Sequence, residues 1–307
     1  IRRQRSAVSG GVKTIESRFL SRVAVSAGNY DLSVGRDILN AVRARDVVPM
    51  QLLDYSAPNP PADWSDVYVT ELETLIHNPY AFYVQHILRL RVLDDYWMPP
   101  DARAFGDLVH HVIETARGLS PDALVFNMDT AARSILGPDS VMFHFWHKRF
   151  CEIAPVVSDV LSKLENAVHE INGHINIAGR TIRARADCVW DGGVMDIKTG
   201  NPPQPSQLKD GNMPQLPLEA YMLQNNGFGI KTTDKSKSPI MIFLQLKNND
   251  VRPIEYDAQA TQSMIDAAVA KIKDLVHIYS VGGAPYEYHE TGDRRYKKYD
   301  DLARCDD

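Results

Sequence analysis

Arg183-Ala-Arg-Ala-Asp-Cys-Val-Trp-Asp-Gly-Gly-Val-Met-Asp-Ile-Lys-Thr-Gly200 reads as a tight β-hairpin carrying two carboxylates and a lysine. Asp191-Gly192 suits a two-residue type I′ loop, because both central positions need positive φ and these residues tolerate it. With that pair at the tip, Trp190 faces Gly193, Asp187 comes opposite Asp196, and Arg185 opposite Lys198. Directly opposed residues have Cβ atoms roughly 4.5–5.5 Å apart, close enough for two carboxylates to share a divalent cation. Like charges at that spacing destabilise a hairpin unless a cation or a raised pKa relieves them. Strict alternation then puts Arg183, Arg185, Asp187, Asp196 and Lys198 on one face. Ala184, Ala186, Cys188, Trp190, Met195 and Ile197 fall on the other, a core-facing set. A three-residue loop with a bulge would shift this register.

Working outward, strands are expected at about 174–178, 181–190, 193–198 and 240–247. Helices are expected from Thr70, at about 104–116, at about 140–171, from Gln215, and at about 261–279. Thr70 with Glu73 has the spacing of a capping box, and Asn78-Pro79 interrupts the first helix. Helices therefore flank a small mixed sheet, an α/β core. Residues 1–65 read as a lead-in from a preceding domain, with the Pro-rich Ala57–Ala62 as linker. Residues 66–285 form the main domain, and 286–307 a C-terminal tail.

The 307 residues carry 34 Lys and Arg against 39 Asp and Glu, a net charge of −5. That balance does not announce a nucleic-acid binder, although basic residues gather at 1–5, 180–185 and 294–298. No apolar run approaches membrane-spanning length and no signal peptide opens the chain, which points to a cytoplasmic protein. Cys151, Cys188 and Cys305 are too few and too scattered for a disulfide framework or a zinc or iron–sulfur ligand set. No phosphate-loop motif is present, so no ATP site is expected in this stretch. His144 and His147 have chelating spacing but no nearby carboxylate in sequence and read as structural. The cluster Arg294–Tyr299 interleaves aromatic and basic residues in the manner of single-strand binders, or belongs to a disordered or partner-contacting tail.

Four pieces occur in order: Gly106-Asp-Leu-Val-His110, then Asp187, then Asp196-Ile-Lys198-Thr-Gly200, then Gln215-Leu-Pro-Leu-Glu-Ala-Tyr221. This order resembles the RecB-like branch of the PD-(D/E)XK nuclease superfamily. Flanking segments are similar to the AddB-type subunit of bacterial AddAB helicase-nucleases, particularly the alphaproteobacterial form. They are Arg5-Ser6, Gly11, Ser17–Leu20, Thr70–Tyr80 and Tyr299–Arg304. The resemblance implies that His110, Asp187 and Asp196 bind a catalytic Mg²⁺ or Mn²⁺, with the Ile197 carbonyl as a further ligand. Lys198 would orient the attacking water or stabilise charge on the phosphate. Gln215 and Tyr221 would hold the scissile strand or organise the lysine, and Arg183 and Arg185 would meet backbone phosphates. Many relatives carry four cysteines for an iron–sulfur cluster, which this chain cannot form. The implied activity is DNA hydrolysis at double-strand ends, beside an AddA-type helicase partner. A second class stays open, a non-catalytic DNA-binding or scaffolding module that keeps the nuclease fold.

Overall fold

A computed structural model describes residues 40, 57–60, 64–92, 101–115, 120–137, 140–230, 238–247, 250–280 and 283–303. All the contacts below lie within the unit Ser56–Asp307. The lead-in segments Arg5-Ser6, Gly11 and Ser17–Leu20, and Cys305, lie outside the described residues.

The molecule is a mixed α/β fold built on a six-stranded sheet, the architecture expected of a PD-(D/E)XK nuclease. The strands are β1 (Asp66–Tyr68), β2 (Val168–Ile177), β3 (Arg180–Trp190), β4 (Gly193–Lys198), β5 (Ile240–Lys247) and β6 (Asp250–Tyr256). The helices are α1 (Val69–His77), α2 (Pro79–Phe82, continued by a π-helical turn Tyr83–Ile87), α3 (Ala102–Thr115), α4 (Pro121–Leu136) and α5 (Val141–Ser162). After the hairpin come α6 (Pro205–Lys209), α7 (Gln215–Gln224), α8 (Ala258–Ser280), a 3-10 turn at Arg294–Tyr296, and α9 (Asp300–Ala303). The sheet runs β1-β3-β4-β5-β6, with β2 on the other edge of β3.

Each face of the sheet has its own core. Leu72 and Leu75 of α1, Leu216 and Leu218 of α7, and Met264 and Ile272 of α8 pack on one face. Phe105 and Val109 of α3, Leu124 and Met128 of α4, and Phe150 and Ile153 of α5 pack on the other. Helix α7 is buried nearly all round, which explains its lack of a polar stripe.

The hairpin register is the expected one where the strands pair: Trp190 with Gly193, Val189 with Val194, Cys188 with Met195. The ladder stops there, one step short of Asp187 and Asp196. On the same edge of β3, β1 takes Thr181–Arg183 in parallel. Residues 184–187 therefore lie in a fork between β1 and β4, and the Ile197 N–H donates to Asp187 Oδ2 at 2.6 Å.

The predicted single charged face is corrected. Ile182, Ala184 and Ala186 pack into the core under α1 and α7, whereas Cys188, Met195 and Ile197 pack into the core under α3 and α5. The alternation of β3 thus reverses at Asp187. Its neighbour on β2 reverses with it: Val168–Val189 and Ile171–Ala186 pair, but Glu170 and Asp187 do not. Glu170 has φ +51°, a conformation costing about 1 kcal/mol for a residue with a side chain. Such bulge-like breaks re-aim side chains.

Other elements differ from expectation, among them β1, β6 and α6, which were not predicted. Helix α5 ends at Ser162 because Asn166 takes a left-handed turn (φ +53°) into β2, which begins at Val168. Helix α4 was not predicted, although Ser120 caps it (Oγ accepting from Ala123 N, 3.3 Å) and Gly137 (φ +78°) ends it. The start of α1 is held by Glu71, whose carboxylate accepts the Tyr68 N–H at 2.8 Å, while Glu73 is turned inward. Asn78 does break the helix before Pro79, and its side chain accepts from Ala81 N at 3.3 Å.

Candidate active site

The fork delivers a group of ligating atoms. His110, on the face of α3 that looks at β2 and β3, places Nδ1 3.3 Å from Asp187 Oδ1 and 3.6 Å from Glu170 Oε1. The candidate ligand atoms of His110, Glu170 and Asp187 all lie within 4.8 Å of one another. Burial works against a charged imidazole, but the two carboxylates outweigh it and push His110 up to about 10.

Across β4 stands a second group. Asp196 is 2% exposed. Its Oδ1 accepts from Lys198 Nζ at 2.9 Å and from Gln215 Nε2 at 3.1 Å, while its Oδ2 is buried with no partner among the described residues. Burial raises the Asp196 carboxyl, against the pull of Lys198. The Lys198 ammonium is disfavoured by burial, yet Asp196, Asp187 and Glu73 push it up to about 12. It is therefore a fixed positive charge at neutral pH and cannot serve as a base.

Two carboxylates that the sequence analysis did not single out complete this wall. Glu219 is wholly buried, and its Oε1 accepts from Gln215 Nε2 at 3.3 Å. Its other oxygen has no partner among the described residues, and burial followed by Asp196 and Asp187 holds the carboxyl well above the usual carboxylate range. Glu73 is 5% exposed and burial raises it to about 7. Glu219 had a signal, a lone carboxylate four residues after Gln215 on an otherwise apolar helix. Glu170 had none, because the expected helix 140–171 covered it.

Each predicted site residue has a definite place. His110, Ile197, Lys198 and Gln215 line a cleft of about 520 Å³ together with Glu73 and Arg103. Asp187 and Asp196 sit behind that wall through the bonds given above. Tyr221 packs against the core and does not line the cleft. Arg183 and Arg185 leave the cleft altogether. Arg183 Nε donates to Asp66 Oδ1 at 2.6 Å, and Arg185 binds Glu114 at 3.0 Å and Glu170 at 2.7 Å.

Tertiary structure adds Arg295, which lines the cleft from the C-terminal segment and is held by Asp293 at 2.7 Å. The aromatic residues of that segment are not free to stack on bases. Tyr296 and Tyr299 are buried, Tyr296 against His77 with ring centroids 4.6 Å apart. His147 is also corrected: it does have a carboxylate partner, Asp129, supplied by α4.

The donor chemistry suits a hard divalent cation. The imidazole of His110 and the carboxylates of Glu170 and Asp187 face one another, and a buried Asp196 oxygen has no hydrogen-bond partner among the described residues. Among the described residues no helix is long and apolar enough to cross a membrane.

The sequence model of the PD-(D/E)XK nuclease superfamily matches residues 68–294. An uncharacterized protein of Rickettsia bellii is 29% identical over 188 residues, which are 53% of this chain and 22% of that protein. One from Rickettsia typhi is 27% identical over 215 residues, 62% of this chain and 24% of that protein. The chain thus spans about a quarter of the length of these relatives. Among solved structures, a candidate exonuclease from Eubacterium rectale aligns at 9% identity and TM-score 0.48, covering 76% of this chain and 87% of that one.

Proposed function

Because the chain belongs to the PD-(D/E)XK nuclease superfamily, we propose that it is a divalent-cation-dependent deoxyribonuclease domain, acting as an exonuclease on DNA ends. In this reading it is part of an AddB-type subunit that works with an AddA-type helicase partner in the cytoplasm, in recombinational repair. The observation that supports catalysis most directly is the unpartnered, buried oxygen of Asp196 beside a charged Lys198. A scaffold has no reason to keep such a group, because an unsatisfied buried carboxylate oxygen costs about 1–3 kcal/mol.

His110, Asp187 and Asp196 would hold Mg²⁺ or Mn²⁺, with the Ile197 carbonyl as a further oxygen. When bound, such a cation polarises the phosphate and lowers the pKa of its water. His110 must shed its proton to ligate. Lys198 offers a fixed positive charge to the developing oxyanion on phosphorus. Gln215 spans Asp196 and Glu219 through one amide nitrogen and so fixes the orientation of the Asp196 carboxylate. Asp187, by accepting the Ile197 N–H, ties β3 to β4 where their ladder has ended.

The test is degradation of single-stranded DNA by the purified chain with Mn²⁺, compared with Asp196→Ala and Lys198→Ala. Both substitutions are expected to abolish cleavage. A clean Lys198→Ala preparation that still cuts would sink the assignment. Calorimetry that finds no Mn²⁺ site dependent on Asp187 and Asp196 would instead favour the non-catalytic module.

A further inference from the structure

Two depressions continue the wall of the cleft. The first, about 550 Å³, is lined by Arg91, Arg103 and Lys298 and shares Arg103 with the cleft. The second, also about 550 Å³, is lined by Arg89 and Arg91 and shares Arg91, Glu71 and Gln85 with the first.

The cations along this line are not taken up by carboxylates, unlike several on other parts of the surface. Arg183, Arg185, Lys163, Arg252 and Arg295 each bind a carboxylate. Arg89, Arg91, Arg103 and Lys298 are exposed, and their side chains have no ion pair or hydrogen bond among the described residues. The carboxylates that line the same depressions are already engaged. Glu71 takes the Tyr68 N–H at 2.8 Å and His86 Nδ1 at 3.2 Å, and Asp66 takes Arg183. Four cations without an ion pair among the described residues therefore lie along one path that ends in the active-site cleft, whereas Lys148, Lys209, Lys273 and Lys297, also without one, line none of these depressions.

The same path alternates charge with apolar surface. Leu88, Leu90 and Val92 are about half exposed, between and beside the two arginines. Arg89 has φ +57°, an unfavourable conformation for arginine. The segment is anchored where the Tyr299 hydroxyl donates to the Leu90 carbonyl at 2.8 Å.

We propose that residues 88–92, Arg103 and Lys298 form a track for single-stranded DNA leading to the cleft. Phosphates lie on Arg89, Arg91, Arg103 and Lys298, and bases rest over Leu88, Leu90 and Val92. The inference rests on the nuclease reading above for its ligand. A single strand is the fitting occupant because it can follow recessed depressions, whereas a duplex, with a persistence length of about 150 base pairs, resists bending into them. The cations can follow phosphates without sequence preference, and the aliphatic side chains of Leu88, Leu90 and Val92 offer van der Waals surface to the bases.

The experiment uses the full chain and the double substitution Arg91→Ala/Lys298→Ala, both outside the cleft. Binding of a fluorescein-labelled oligonucleotide of about thirty nucleotides is read by anisotropy without divalent cations, so that no turnover occurs. Losing two phosphate contacts should lower the slope of log affinity against log salt by about 1.4, and weaken binding about ten-fold at moderate salt. Cleavage of an oligonucleotide of about four nucleotides with Mn²⁺ should be unchanged. Unaltered affinity and salt slope overturn the track and leave the nuclease reading standing. Weakened binding in a chain that cleaves nothing keeps the track and removes the nuclease. A duplex of equal length bound as tightly as the single strand, with the same loss in the variant, overturns the single-strand assignment.

Discussion

On one face of β3, Arg183 and Arg185 stand in solvent against carboxylates of β1, α3 and β2. On the next strand, Asp196 and Lys198 are folded against α7 with Gln215 and Glu219, and two carboxylate oxygens there have no partner among the described residues. Both groups belong to one hairpin of similar charge. They differ in what burial demands. The exposed pairs are satisfied and screened by water, so each contributes little. The buried group carries unmet electrostatic demand that an apolar replacement would remove. Unmet demand of that kind marks where the fold serves something other than its own stability.

The contrast can be broken in four places, the largest effect first. Lys198→Ala should take cleavage below detection, a loss of about a thousand-fold or more, as expected for losing a fixed charge at a developing oxyanion. Single-turnover rates check this, and binding of an oligonucleotide should change far less.

Glu219→Leu should uncouple stability from function. Removing a buried carboxyl with an unpartnered oxygen raises the melting temperature, while Gln215 loses an acceptor and cleavage drops about ten-fold. Glu219→Gln should keep most of the activity, since it preserves an oxygen acceptor for Gln215. A Glu219→Leu chain that melts lower would mean the group is satisfied in a way the contrast denies.

Glu73 gives a pH signature. Its carboxyl is raised from 4.5 to about 7 by burial, so the folded protein keeps a proton that the unfolded chain has released. The stability this gives is fully present below about pH 4.5 and is lost as pH rises through 7. The loss is about 3 kcal/mol at most. Denaturant melts of Glu73→Gln against the parent chain from pH 5 to 7 should show the parent losing stability relative to the variant.

The smallest effect is at the outer face. Arg183→Ala should leave the melting temperature and the cleavage rate nearly as they were, because its partner Asp66 is exposed. A large loss of activity would return this arginine to the site.

Much of the hairpin was legible in the sequence because its information is local. Asp191-Gly192 sets the turn, the turn sets the register from Trp190–Gly193 to Cys188–Met195, and the register brings Asp187 and Asp196 to neighbouring strands. Strands β4 and β5 begin and end where the pattern places them. The reversal at Asp187 was not legible. It depends on Glu170, twenty residues from the end of the predicted strand that pairs with it, adopting a left-handed backbone in partnership with β3. Strict alternation therefore put Arg183 and Arg185 on the same face as Lys198, whereas the structure puts them on the opposite one.

Residue types and their order by themselves determined the α/β class and the hairpin, because turn preferences and periodicity are properties of short segments, and the family resemblance singled out His110, Asp187, Asp196, Lys198 and Gln215. Only the tertiary structure decided which charges meet. Glu170, Glu219, Glu73 and Arg295 reach the site from four separate elements, and Arg183 and Arg185 are taken from it by Asp66, Glu114 and Glu170. The strength of a charge depends on its burial and on its partners, and both are set by contacts between residues far apart in the chain.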